Sequence, residues 1–325
     1  MSRHALLQWT LRRLLIAVPV VIGVTALAFT LIHLAPGDPI YLLAGDGGSP
    51  AYYAEMRAKY GLDRPLVEQF VRYARAVLTL DLGYSFLYQA RVSSVLRDHL
   101  PASLLLGSVA LAIATLGGLV IGTLAAVWPS RTFDRTARAV ASVMYAAPVF
   151  WTGQMLILVF AVKTHWFPVA GMTSARDVHS GFAYAVDLAW HLTLPAIALS
   201  LTFLAVVIRV SRASVLETMR EPFVGAAAAR GLRAIHVLRR HVIRHSWMPL
   251  VALVGQHATG LVTGAALTET LFGWPGLGFL VFHASIHRDY PLVTGAFVLI
   301  SAGVVLLNAL TDAIGAWLDP RIRLV

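Results

Sequence analysis

The chain has 325 residues, of which 58% are hydrophobic and only 13% are charged. Soluble domains average about 25% charged residues, so this composition indicates a membrane protein with several spans. The net charge is +10, but the basic residues fall in short gaps between apolar runs, which argues against a nucleic-acid binder. The absence of cysteine excludes disulfides, thiolate metal sites and cysteine nucleophiles.

Six apolar runs are long enough to cross a hydrocarbon core of about 30 Å. We therefore predict an all-α, polytopic membrane protein with six transmembrane helices. The predicted helices cover residues 14–34, 100–128, 139–162, 188–208, 247–271 and 292–316. We expect the first helix to be retained, because a secretory signal has a shorter apolar core and a small-residue cleavage site, whereas this run ends in the rigid turn Ala35–Pro39.

Seven polar segments flank these helices within a single predicted domain. They are residues 1–13, 35–99, 129–138, 163–187, 209–246, 272–291 and 317–325. Alternate segments, starting with the first, hold 16 Lys and Arg against four acids, whereas the other three hold ten of each. The positive-inside rule therefore predicts that both termini and the loops 129–138 and 209–246 are cytoplasmic.

The loop 209–246 is the most basic part of the sequence. At its centre, four consecutive alanines, Ala226–Ala229, favour a helix, and Gly231 is suited to end it. Such a helix has a flat face that can approach a partner closely. Two interpretations stay open from this segment alone: an arm that grips a cytoplasmic partner, or an ordinary positive-inside loop.

Two acids fall inside predicted spans, where a carboxylate costs roughly 2.5–3.5 kcal/mol on insertion scales. Glu269 lies close to a span end. It is therefore interfacial, or it lines a substrate path, or it holds the following turn in place. Asp312, near Asn308, suits a structural hydrogen bond to a neighbouring helix better than transport chemistry.

Three prolines inside or beside the spans are candidate helix hinges, although such prolines are also ordinary in membrane helices. They are Pro148, Pro195 and Pro249.

No catalytic, metal or nucleotide site is predicted. Neither lysine follows glycine, so the chain lacks a phosphate-binding loop, and any ATP would be hydrolysed by another subunit. The pairs His241/His245 and His283/His287 have the spacing of a zinc site but lack the intervening glutamate of a metalloprotease. We therefore expect this chain to bind no cofactor.

A series of short motifs resembles the permease family of bacterial ABC importers for oligopeptides, dipeptides and nickel, specifically its first permease. The motifs lie, in family order, at Leu11–Arg13, Pro36–Pro39, Gly61–Pro65, Asp81–Ser85, Ala147–Trp151, Glu269–Phe272, Pro275–Gly278, Arg288–Pro291, Asn308–Asp312 and Asp319–Arg321. Each is modest alone, but together they run nearly end to end.

The resemblance implies the type I importer permease fold and half of a translocation pathway in the bacterial cytoplasmic membrane. It implies a second permease, two ATPase subunits that bind ATP and magnesium, an extracytoplasmic peptide-binding lipoprotein and a peptide substrate, without nucleic acid. It also implies an ATPase-coupling helix, whose expected residues are Glu221, Phe223, Val224, Gly225, Ala226, Ala227, Arg230, Gly231 and Leu232. Gly225 stands where the general family motif has glutamate, so no specific salt bridge is expected there.

Other functions remain open alternatives. One is a permease for nickel or another small solute. Another is a self-sufficient carrier or a membrane hydrolase. A carrier should show repeated halves and more buried ionisable groups, and a hydrolase should show a complete catalytic set. The sequence shows neither pattern.

Overall fold

A computed structural model describes residues 19–20, 22–27, 29–30, 34, 48–60, 63–79, 81–128, 130–174, 180–246 and 248–318. The segment 1–13, the turn at Ala35–Pro39, Gly61–Leu62 and the motif Asp319–Arg321 lie outside these residues, so the expectations for them stay predictions. Within the first expected span, the described residues are helical.

The described part of the chain is helical, with one short antiparallel hairpin. Its elements in order are α1 (Pro50–Tyr60), α2 (Leu66–Leu78), β1 (Tyr84–Ser85), β2 (Ala90–Arg91), α3 (Val92–Val127), α4 (Arg131–Ala146), α5 (Val149–Leu156, continued by a π-helix Ile157–Lys163), α6 (Phe182–Thr218), α7 (Pro222–Ala229), α8 (Ala234–Val237, followed by a π-helical turn Leu238–Val242), α9 (Ile243–Ser246), α10 (Met248–Leu271), α11 (Leu277–Ile286) and α12 (Tyr290–Leu318).

Three helices in the described residues are long and apolar enough to cross a membrane: α3, α6 and the part of α12 from Tyr290 to Gly315. Their mean hydropathies are 2.4, 2.1 and 2.2. The pair α4 and α5 makes a fourth if it forms one bent span. These findings are consistent with six spans, but the count of six stays a prediction.

The expected third span, 139–162, consists of two helices bent by 106° rather than one continuous helix. The reason lies at Ala147, which has an extended ψ of 127°. A residue before proline is sterically kept out of the helical region, so α4 ends there and Pro148 becomes the N-cap of α5.

The other two hinge candidates lie within helices. Pro195 is buried inside α6, which continues through it. Pro249 lies in the first turn of α10, where proline interrupts no helical hydrogen bond. Motion at any of the three prolines stays a prediction.

The chain divides into two compact units, one of Met1–Pro101 with Gly276–Val305 and one of Ala102–Pro275 with Leu306–Val325. In the first unit, an apolar cluster around Val92, Leu280 and Leu292 forms the core.

Asp289 ties the hairpin of the first unit to the start of α12. Its carboxylate is 2% exposed and accepts hydrogen bonds from Ser85 Oγ at 2.5 Å, Leu87 N at 3.0 Å and Leu292 N at 3.3 Å. Burial raises the pKa of the nearby Tyr88 phenol, and the Asp289 charge raises it further. The phenol is therefore protonated at neutral pH.

The second unit is built around α6, which packs against α4, α5 and α10. Glycines allow α3 to come unusually close to it. A Cβ at Gly122 would lie 2.6 Å from the carbonyl oxygen of Ile208, and one at Gly118 would lie 2.6 Å from Val207. These contacts require the absence of a side chain, so α3 and α6 are held backbone to backbone.

We predict that Asp289→Ala destabilises the protein by about 2–3 kcal/mol, because it removes a charged acceptor and leaves buried donors unpaired. Thermal unfolding of the purified chain in detergent checks this, with exposed Asp63→Ala as the control. Equal melting temperatures for the two variants would show that this carboxylate does not stabilise the hairpin.

Candidate functional site

The loop 209–246 begins within α6, and residues 209–218 form the last part of that helix. This helix has 37 residues and is therefore about 55 Å long, well beyond the thickness of a hydrocarbon core. Its last turns carry buried side chains at Ser211, Val215 and Thr218. The end of α6 thus offers a packing surface for the loop that follows.

An ion pair joins the end of α6 to the start of α4. Arg212 binds Asp134 through one edge of its guanidinium group, with Nη2 2.9 Å from Oδ2 and Nε donating to Oδ1. Arg138 lies 3.4 Å from the same carboxylate. A bidentate pair of this kind fixes orientation as well as distance, so the base of the loop is oriented relative to α4.

The expected coupling helix is α7. Glu221 is its N-cap residue and Pro222 its first helical residue, a position that suits proline because no amide hydrogen is needed there. At the other end, Gly231 has a φ of +77° and donates to the carbonyl of Ala228 at 2.9 Å. The amide of Leu232 donates to the carbonyl of Ala227 at 3.3 Å, which completes a Schellman cap.

One side of α7 is internal. Ala227 is 9% exposed and packs in a cluster with Val215 of α6 and with Val237 and Val242 of the following segment. Val224 packs against the same cluster. This side of α7 fastens the helix to the rest of the loop.

The other side of α7 is exposed in the part of the chain that the structure describes. Pro222, Gly225, Ala226 and Ala229 are exposed, and their spacing places them on one helix face. A Cβ at Gly225 would meet nothing within 4 Å. We call these four residues the small-residue face. This face carries no charge and no large side chain, so another surface can approach it closely. Arg230, Gly231 and Leu232 are exposed at the end of the helix.

Phe223 connects α7 to the histidines of the loop. Its ring centroid lies 4.9 Å from that of His245 and 6.5 Å from that of His241. Nδ1 of His245 is 2.7 Å from the carbonyl oxygen of His241. In the described residues, no group of three His, Cys, Asp or Glu side chains could hold a metal ion. This histidine pair packs against an aromatic ring.

Glu269 lies inside the second unit. Its side chain is fully buried and accepts a hydrogen bond from Ser103 Oγ at 2.6 Å. The fully buried Trp274 donates from its amide to the Glu269 carbonyl at 2.8 Å and from Nε1 to the Ala102 carbonyl at 2.9 Å. The carboxylate thus takes part in internal packing around the turn after α10. Whether it also acts in transport stays a prediction.

Asn308 and Asp312 lie on α12. Oδ1 of Asn308 accepts a hydrogen bond from Thr259 of α10 at 3.0 Å, and Asp312 is half-buried one turn further on. A Cβ at Gly255 would overlap the Thr311 side chain, so α10 and α12 are in close contact here.

An apolar cavity of about 430 Å³ lies between α3, α10 and α12 in this unit. Its walls include Leu111, Leu119, Leu250, Val254 and Leu307, but not the three candidate polar residues Glu269, Asn308 and Asp312. Thr115 Oγ1 is buried in the wall without a hydrogen-bond partner in the described part of the chain. The cavity offers volume but few fixed polar contacts.

Comparison with known proteins identifies the family to which this chain belongs. Residues 118–324 match the family described as binding-protein-dependent transport system inner membrane component, and residues 6–107 match its N-terminal family. The chain is 37% identical to the dipeptide transport system permease protein DppB of Escherichia coli K12, over 98% of this chain and 99% of that protein. It is 35% identical to the di/tripeptide transport system permease protein DppB of Pseudomonas aeruginosa, with the same coverage.

Two solved structures share the fold at 16% identity. The MetNI methionine ABC transporter in an inward-facing conformation matches with a TM-score of 0.57, over 70% of this chain and 97% of that one. An amino acid ABC transporter with histidines matches with a TM-score of 0.50, over 71% and 95%. The fold is therefore that of ABC importer permeases, as expected. With two family matches that together cover nearly its whole length, the chain belongs to the binding-protein-dependent transport system inner membrane components.

Proposed function

We propose that this protein is the permease subunit of an ATP-driven importer of dipeptides or oligopeptides and forms half of the translocation pathway. The observation that carries the proposal is the identity of 35–37% to dipeptide and di/tripeptide permeases along 98% of the chain. Nickel or another small solute is the alternative cargo. The nearly apolar cavity supports a peptide importer, because peptides with varied side chains need volume more than fixed polar contacts.

The proposed location is the bacterial cytoplasmic membrane, with six spans and both termini inside. The uneven distribution of Lys and Arg between alternate polar segments supports this orientation. At about 55 Å, α6 is long enough to cross the hydrocarbon core and to continue into the loop 209–246.

The proposed assembly contains a second, homologous permease, two cytoplasmic ATPase subunits and an extracytoplasmic peptide-binding lipoprotein. ATP and magnesium would be held by the ATPases, because this chain has no phosphate-binding loop. The family description, which refers to dependence on a binding protein, supports the extracytoplasmic partner.

In this assembly, α7 is the coupling helix and its small-residue face enters a groove of an ATPase subunit. Closure of the ATPases around ATP then displaces α7. Because Ala227 packs on Val215 of α6, the displacement is transmitted to α6, and the Arg212–Asp134 pair passes it on to α4. The spans follow and alternate between inward and outward access.

One prediction of this mechanism concerns the small-residue face. In cells with the complete importer, Gly225→Trp should reduce dipeptide uptake at least about tenfold, because the indole blocks docking. It should leave membrane insertion and the melting temperature unchanged, since the space around Gly225 is open among the described residues.

Gly225→Ala is the matched control and should retain uptake, because it adds only a methyl group and favours the helix. Ala227 is unsuitable for this test, since it is buried and a larger residue there disturbs the loop itself. Normal uptake by a correctly inserted Gly225→Trp variant would rule out docking through this face.

Another prediction of this mechanism concerns the ion pair at the base of the loop. Asp134→Arg and Arg212→Asp should each reduce uptake severalfold, because either change places like charges together at this contact. The double variant should recover much of the loss. A double variant that is as impaired as the product of the two single effects would show that the pair does not act in transmission.

The proposed orientation can be tested by cysteine labelling, since the chain has no native cysteine. In intact cells, Tyr84→Cys should react with a membrane-impermeant maleimide and Arg233→Cys should react only after permeabilisation. Both side chains are exposed in this chain. Labelling of position 233 from outside would reverse the proposed topology.

A further inference from the structure

A basic surface on the loop is not used by the proposed docking of α7. Arg239, Arg240 and Arg244 are all exposed. The sequence from residue 222 to residue 246 contains no Asp or Glu, and within the described residues none of these three arginines forms an ion pair. We call the three side chains the arginine face.

The π-helical turn explains how this face forms. Val237 and Val242 are both buried although they are five residues apart, and Ser246 is buried four residues later. Residues five apart point to different sides of an α-helix, which has 3.6 residues per turn. In a π-helix the hydrogen bond spans five residues, so Val237 and Val242 come to the same side. The three arginines are left on the outer surface of the segment.

The arginine face lies next to a predicted span. Arg244 precedes the first residue of the apolar helix α10 by only four residues. In the orientation proposed above, this is where the chain enters the membrane from the cytoplasm. The guanidinium group binds phosphate with two parallel hydrogen bonds, and clusters of arginine beside a span are attracted to anionic headgroups.

We propose that the arginine face binds the phosphate of anionic phospholipid headgroups in the cytoplasmic leaflet. The proposal rests on the cytoplasmic placement of the loop given under the proposed function. The ATPase subunit is the less suitable partner, because the face of α7 proposed to dock on it is uncharged. The arginine face is instead basic and adjoins a predicted span.

Bound lipid would bear on coupling as well as on anchoring. Phe223 of α7 lies with its ring 4.9 Å from His245, the residue after Arg244. Together with the apolar cluster, this contact makes the arginine face and α7 parts of one packed body. Lipid at the arginine face then restrains the position of the coupling helix relative to the membrane.

The test uses the complete transporter in nanodiscs of phosphatidylcholine with or without phosphatidylglycerol. The test variant replaces Arg239, Arg240 and Arg244 by Gln. The control replaces Arg131, Arg135 and Arg220 by Gln, which removes the same charge from other exposed arginines of the proposed cytoplasmic side. The first measurement is the enrichment of phosphatidylglycerol among lipids retained by the purified complex. The second is transport-coupled ATP hydrolysis in each lipid.

We expect the wild type and the control to enrich phosphatidylglycerol, and the test variant to lose at least about tenfold in relative retention, in line with the attraction of several arginines. Phosphatidylglycerol should also stimulate coupled hydrolysis in the wild type and the control, and should not do so in the test variant.

Three outcomes would overturn the proposal. Equal loss in the control would show attraction by net charge alone, and unchanged enrichment in the test variant would show that these arginines do not bind lipid. Loss of the ATPase subunits from the test variant in pure phosphatidylcholine would assign the face to the ATPase instead. Failure of the proposed coupling would be seen separately, in the uptake by the Gly225→Trp variant. Failure of the proposed orientation would be seen in the labelling at position 233.

Discussion

The packing of the loop on the end of α6 is the contact on which the proposed mechanism depends. Four small apolar side chains form it: Val215 from α6, Ala227 from α7, and Val237 and Val242 from the segment that follows α7. Apolar contacts have no preferred direction, whereas the bidentate Arg212–Asp134 pair permits only a narrow range of orientations. The pair therefore orients α6, on which the loop packs, relative to α4.

Much of the architecture could be predicted from the sequence, because long apolar runs force membrane helices and the membrane admits few alternatives. The helices α6 and α12 cover the runs predicted for the fourth and sixth spans, and α3 covers all but the last residue of the run predicted for the second. The bend between α4 and α5 could be predicted only in part from the sequence. Pro148 shows where a helix is interrupted, but the angle of 106° depends on the surroundings of the two helices.

The position of the helix in the candidate site could be predicted from the sequence, but which of its faces is buried could not. A run of four alanines has no hydrophobic periodicity, so the sequence could not indicate that Ala227 is internal whereas Ala226 is exposed. The hydrogen bond between Ser103 and Glu269 could not be predicted for another reason. Ser103 is 166 residues away, and no local pattern relates the two side chains. The π-helical turn was also missed, since the burial of residues five apart becomes visible only once the helix is built.

The composition of the small-residue face also bears on partner choice. Pro222, Gly225, Ala226 and Ala229 carry no charge and no long side chain that could distinguish one closely related groove from another. Discrimination through such a face relies on fit alone, and a groove of similar depth and width would accept it equally well. If this face docks on the ATPase subunits as proposed, several importers built on this plan can share one pair of ATPase subunits while each transports its own cargo.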